Sequence, residues 1–191
     1  QLIKSRPMAM KNDEEQQLAV ERFFARGKLG APRQLLEAAL DQSVGAGEDI
    51  DFKVSTNPPA RFVIEIFRSG YYGGRGARLM SKLGPFQGAV QPDPPVGPRR
   101  LRECRWETSA KLTIPADWPS GVYLGRLTTV PDSGNHPSWQ SYTIFIVRDD
   151  RPADILFQCS DNNWQAYNPC PDQYTHYDGD NGPGWVRGPD P

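Results

Sequence analysis

The chain is poor in the residues and runs that would announce a function directly. Its 191 residues contain 2 histidines and 3 cysteines, and no cysteines fall in a Cys-x-x-Cys pair, so a structural zinc site is not expected. No apolar run approaches the ~20 residues a membrane-crossing helix needs, and no membrane span is expected. Neither sign of charge dominates: 22 Lys and Arg stand against 23 Asp and Glu, for a net charge of −1. A phosphate-tracking surface needs a basic excess, so nucleic acid is not an expected partner. There is no Gly-x-Ser-x-Gly elbow, no Gly-x-x-x-x-Gly-Lys loop and no His-Glu-x-x-His pair. The glycine-rich stretch from Tyr71 to Arg78 lacks Gly-x-Gly-x-x-Gly spacing. It reads as a shaped turn that presents tyrosines to a neighbouring domain.

What is present points to β-structure. Hydrophobic residues make up 37% of the chain, enough for one core, and 18 glycines and 19 prolines supply turns. Ile50, Phe52 and Val54 alternate with Asp49, Asp51 and Lys53, as a strand with one buried face does. Phe62, Ile64 and Ile66 repeat the pattern, and Val63 and Phe67 make the opposite face of that strand largely apolar. Further strands are expected over Lys111–Ile114, Val122–Val130 and Tyr142–Val147, with a weaker one over Arg102–Thr108. Asn57-Pro58-Pro59, Pro119-Ser120-Gly121 and Asp132-Ser133-Gly134-Asn135 separate them. Short strands at this spacing predict an antiparallel, immunoglobulin-like β-sandwich over residues 45–150. The proline-rich run Gly84–Pro98 is expected to be an extended surface connection.

The flanks read differently. Residues 1–44 are expected to be a helical N-terminal segment. Asp13, Glu14 and Glu15 suit a first helical turn, Leu18, Val20, Phe23 and Phe24 follow, and Leu35, Leu36, Ala39 and Leu40 resume the pattern after Gly27, Gly30 and Pro32. After the linker Arg148-Asp149-Asp150-Arg151-Pro152, Asp154–Gln158 has the apolar centre of a short buried strand. The glycine- and proline-rich stretch that closes the chain cannot build a core. Residues 151–191 are therefore expected to begin an α/β domain without completing it, making the chain one piece of a longer or multi-chain protein.

Chemistry-bearing residues gather between Ser160 and Asp180: Trp164, Tyr167, Asn168, Tyr174, His176, Tyr177 and Asp178. Phenols, an imidazole and carboxylates after a strand's C-terminal end lie where α/β sheets place ligands. Hard oxygen donors with a histidine suit iron, manganese or calcium; the plainer reading is a polar aromatic loop that caps the sandwich. His176 is the candidate catalytic group, with a supporting or surface role as its alternative, while His136 falls in a turn and is expected to be solvated. Cys159 and Cys170 could form a disulfide in an oxidising compartment or stay as thiols. Neither a cytoplasmic nor a secreted or periplasmic location is favoured.

Three ordered blocks carry a likeness. Phe62-Val63-Ile64-Glu65-Ile66-Phe67-Arg68-Ser69-Gly70-Tyr71-Tyr72-Gly73-Gly74-Arg75-Gly76-Ala77-Arg78 is the first and Ser120-Gly121-Val122-Tyr123-Leu124-Gly125-Arg126-Leu127 the second. The third runs from Phe145-Ile146-Val147-Arg148-Asp149-Asp150 through Ala153–Gln158 to Ser160-Asp161-Asn162-Asn163-Trp164-Gln165-Ala166-Tyr167-Asn168. Over roughly residues 45–180 the chain resembles the N,N-dimethylformamidase large (beta) subunit family. The resemblance implies a sandwich followed by an α/β catalytic domain, whose mononuclear ferric iron is held by two tyrosines and a glutamate and hydrolyses a small amide. It matches Tyr167 to an iron-ligating tyrosine and puts the remaining ligands outside this chain, supplied by the rest of the polypeptide or a companion chain in an oligomer. The chain by itself is expected to be inactive. The rival expectation is a non-catalytic immunoglobulin-like binding or assembly module acting through Trp106, Trp118, Trp139 and Tyr72.

Overall fold

The computed structural model describes residues 6–7, 35–39, 43–95, 104–130, 139–160, 163 and 167, with side chains from residue 43 onward. Among these, nine strands run in chain order: β1 (Arg6–Pro7), β2 (Leu35–Ala39), β3 (Ser43–Gly45), β4 (Asp49–Asn57), β5 (Arg61–Ser69), β6 (Ala77–Gln87), β7 (Ala110–Thr113), β8 (Gly121–Val130) and β9 (Trp139–Arg148). They form two sheets. One has the order β1-β9-β8-β5-β6, with β3 also on β9, and the other the order β2-β4-β7. All pairings are antiparallel except β3 with β9, which run parallel over Ser43–Ile146, Val44–Val147 and Gly45–Arg148.

Period-two burial explains why these segments are strands. Ile50, Phe52 and Val54 on β4, and Phe62, Ile64 and Ile66 on β5, are fully buried and alternate with less buried neighbours, except that burial continues through Ser55 and Thr56 at the end of β4. On β8 the inward residues are Tyr123, Gly125, Leu127 and Thr129; on β9 they are Ser141, Thr143, Phe145 and Val147. Both sheets contribute to one apolar cluster, in which Phe52, Ile50 and Leu112 meet Phe62, Ile64, Leu127 and Phe145. Each fully buried side chain of this size contributes about 1.5–3 kcal/mol. A column of rings crosses the cluster: Trp118 stacks on Tyr123 at 5.1 Å, Tyr123 on Phe145 at 5.5 Å, and Phe145 meets Phe52 edge-on at 6.2 Å. The Tyr123 hydroxyl donates to the Pro119 carbonyl at 2.6 Å.

The opposite face of the larger sheet is built in rows. By register, Leu79, Phe67, Leu124 and Ile144 stand side by side across four strands, and the next row is Lys82, Glu65, Arg126 and Tyr142. Arg126 donates twice to Glu65 Oε2, at 2.9 and 2.7 Å, and lies over the Phe67 ring at 5.0 Å. This accounts for the second apolar face read from β5.

Several expectations are corrected. Leu35–Ala39 is not helical but pairs with Lys53–Asn57 of β4, and Ser43–Gly45 is also a strand. Leu, Glu and Ala differ in helix propensity by well under 1 kcal/mol per residue, so five ladder positions along β4 outweigh it. Arg6–Pro7 is a strand as well, and the remainder of the proposed helical segment, residues 1–5, 8–34 and 40–42, lies outside the described residues. The weak strand proposed around Arg102–Thr108 is absent over the described residues 104–108. Gln91 instead ties that stretch down, accepting from the Glu107 N–H at 2.7 Å and donating to the Glu107 and Val54 carbonyls. The connection read from Gly84 starts too early, because β6 continues to Gln87. Asp154–Gln158 forms no strand; among the described residues nothing pairs with it.

Candidate functional site

One end of the larger sheet collects the end of β5, the starts of β6 and β8 and the end of β9. Between β5 and β6 the chain makes a 3-10 turn over Tyr72–Gly74. Tyr72 has φ 41° and Gly73, Gly74 and Gly76 have φ 69°, 89° and 73°. Side chains seldom adopt this left-handed region, which is why the turn is built from glycine.

Arg68, at the end of β5, organises this corner. Its Nη1 donates to the Tyr72 hydroxyl at 2.6 Å and its Nη2 to the Ser120 carbonyl at 2.8 Å. The N–H of Ser120 in turn donates to Asp149 Oδ2 at 3.4 Å. One residue's peptide groups are therefore held by a cation at the carbonyl and a carboxylate at the N–H. Asp149 also accepts from the backbone N–H of Arg151 at 3.3 Å and from Arg151 Nε at 2.8 Å, with Arg151 Nη2 closing a second contact. The Arg151 guanidinium, helped by the Ser120 bond, holds the Asp149 carboxyl below its usual range. A Cβ on Gly121 (φ 145°) would come within 3.3 Å of the Arg68 guanidinium, so a bare backbone lets Arg68 lie there. Glu48 pairs with Arg148 at 3.6 Å beside the same corner.

From here the chain departs over an exposed surface. Ile155, Leu156 and Phe157 are 83%, 95% and 78% exposed, and Tyr71 on the adjacent turn is 83% exposed. Tyr167 is 50% exposed, and its N–H donates to the Asn163 carbonyl at 3.1 Å, closing one helical turn. Of the candidate metal-ligating and catalytic residues after Ser160, only Tyr167 is described; His176, with Trp164, Asn168, Tyr174, Tyr177 and Asp178, lies outside the described residues, as do His136 and the Cys170 half of the proposed disulfide. Among the described residues no three His, Cys, Asp or Glu side chains gather as a metal site. A ferric ion needs several hard donors, and one half-exposed phenol does not fit it alone.

Sequence reasoning missed Arg68, Ser120 and Asp149. Each belongs to a different block of the family resemblance, and the fold brings those three blocks into contact. No spacing within a single block could have shown it.

Residues 63–189 match the family described as N,N-dimethylformamidase beta subunit-like, C-terminal. The chain belongs to that family. No curated protein matches it. The dimethylformamidase beta subunit-like match takes in the Arg68 corner, the exposed Ile155–Phe157 segment and Tyr167 together. Among the described residues, no helix is long and apolar enough to cross a membrane.

Proposed function

We propose that this chain is the sandwich-bearing part of a formamidase-like hydrolase that cleaves the C–N bond of a small linear amide. The observation that carries this reading is the family match over residues 63–189. On this reading residues 45–150 are an immunoglobulin-like β-sandwich and residues 151–191 open an α/β domain. Two features support the sandwich. The strand orders β2-β4-β7 and β3-β9-β8-β5-β6 correspond to the two sheets of that fold, and the Tyr123–Pro119 bond corresponds to its tyrosine corner. For the α/β domain, the support is an Ile-Leu-Phe run that is apolar on both strand faces, as interior strands of parallel sheets are.

The reading assigns Tyr167 as one ligand of a ferric ion, whose other donors lie outside the described residues, with His176 supporting the pocket. Bound there, iron would polarise the amide carbonyl and acidify a water. The chain's own part is to hold the Tyr167 segment at a fixed place relative to the two sheets. The family's name implies a beta subunit that works with a companion chain.

The rival reading, a binding module acting through exposed aromatics, is not favoured: Trp106 and Trp118 are buried in the two-sheet body, Trp139 is half-buried, and Tyr72 is half-buried with its hydroxyl held by Arg68. Metal analysis of the native protein tests the proposal. Iron should co-purify, give a visible tyrosinate-to-iron absorption, and support release of amine and acid from a small amide. Tyr167→Phe should lower the iron content and bleach the band. A colourless native protein without transition metal, and without amide hydrolysis, overturns the reading.

A further inference from the structure

We propose that the corner formed by Arg68, Tyr72, Ser120 and Asp149 is the seat of the domain that takes up Ile155–Phe157, and that Tyr71 is its main contact. The inference rests on the domain reading above but not on iron or on amide hydrolysis.

The argument starts from cost. Ile155, Leu156 and Phe157 are more than three-quarters exposed, although apolar side chains of this size are stabilised by burial. Successive strand residues point to opposite faces. Three apolar residues in a row therefore call for cover on both sides and ladder partners at both edges. The occupant that meets this is a layered body containing a sheet, which admits the segment as an interior strand.

Tether length then fixes where that body sits. Arg151 is fastened to Asp149, and Asp149 to Ser120. Ile155 follows four residues later, a reach of at most about 14 Å. A body that buries Ile155 must therefore abut the corner. The surface waiting there is the turn after β5, where Tyr72 is held by Arg68 and Tyr71 projects 83% exposed. A tyrosine presented on a braced turn suits an interface, since it offers a large contact area with little rotamer entropy to lose. Arg68 also contributes shape: it holds Ser120 from the carbonyl side while Asp149 holds it from the amide side, so the departing chain and the Tyr71 turn are parts of one rigid unit.

Limited chymotrypsin digestion of the full native protein tests this, with cleavage at Leu156 and Phe157 followed by mass. The expected result is protection in the wild type, cleavage at least ten times faster in Tyr71→Asp, and protection retained in Tyr71→Phe. The melting of the two-sheet body should not change, because Tyr71 supports none of its core. Val90→Asp is the control, on an exposed apolar residue beside Ala89, which bridges to β4 near its far end; it should leave protection intact. Four results overturn the inference: rapid wild-type cleavage, no effect of Tyr71→Asp, an equal effect of Val90→Asp, or protection that fades on dilution, which would make a second copy of the chain the occupant. Iron and amide hydrolysis are assayed on the same samples. Their absence with the digestion pattern intact removes the catalytic reading and leaves the docking surface standing.

Discussion

Tyr123 and Pro119 are joined by a hydroxyl-to-carbonyl hydrogen bond of 2.6 Å across the entry to β8. The ring of Tyr123 is fully buried between Trp118 and Phe145, so bond and stack are separable. Tyr123→Phe keeps the stack and leaves the Pro119 carbonyl without its donor. The expected cost is about 1 kcal/mol, lowering the melting midpoint by roughly 4–8 °C for a domain of this size. Tyr123→Ala removes both and should cost about 3–5 kcal/mol. Equal midpoints for wild type and Tyr123→Phe would show that the corner bond contributes nothing.

Alkaline titration should find two phenols above the ordinary tyrosine range. Burial pushes Tyr123 and Tyr142 above the ordinary tyrosine value, against the Arg68 and Arg126 guanidinium groups, which pull them down. A folded value above the unfolded one means these groups favour folding fully below about pH 10, and that this support is lost as pH rises through the folded values. Tyrosinate absorbance should therefore show Tyr123 and Tyr142 ionising late. Ionisation of both at the ordinary tyrosine value in the folded protein would contradict the burial.

Glu65 and Arg126 should couple. Their side chains are 16% and 13% exposed, so water screens them only in part. Glu65→Gln leaves a shielded guanidinium without its carboxylate and should cost about 1–3 kcal/mol. A double-mutant cycle with Arg126→Met should return part of that loss as an interaction energy. Strict additivity in urea denaturation would mean the pair is a bystander.

Gly88 should not tolerate a methyl group. An added Cβ would lie 2.6 Å from the Ala60 carbonyl oxygen and 2.5 Å from Thr56 Oγ1. The carbonyl cannot yield, because it accepts the Gly88 N–H at 3.0 Å. Gly88→Ala should cost about 1–3 kcal/mol from overpacking. Gly47→Ala, with open space around it but φ +82°, should cost about 1–2 kcal/mol from backbone strain alone. Thermal midpoints of both variants at or above wild type would refute the steric reading.

Legibility in the sequence followed the side chains' periodicity. β4 and β5 were readable because Ile50, Phe52, Val54, Phe62, Ile64 and Ile66 alternate without interruption, and β7, β8 and β9 for the same reason. β6 was not. It is an edge strand whose register slips twice against β5, and its Gly84 and Pro85 read as a loop. β2 was misread because its residues favour a helix in isolation, and only pairing with β4 decides otherwise. Ile155–Phe157 shows the converse: the local pattern is a strand's, but no neighbour among the described residues completes it. The Arg68 corner depends on three segments distant in sequence, which no local pattern reports. Tyr167 stands out through the family likeness, and its phenol is half-exposed.

The parallel seam between Ser43–Gly45 and Ile146–Arg148 has a mechanical consequence. The chain arrives at residue 43 and departs at residue 148 along neighbouring, co-directional tracks. A pull on residue 43 against residue 148 therefore loads the hydrogen bonds of this seam in shear, all at once, instead of peeling them apart singly.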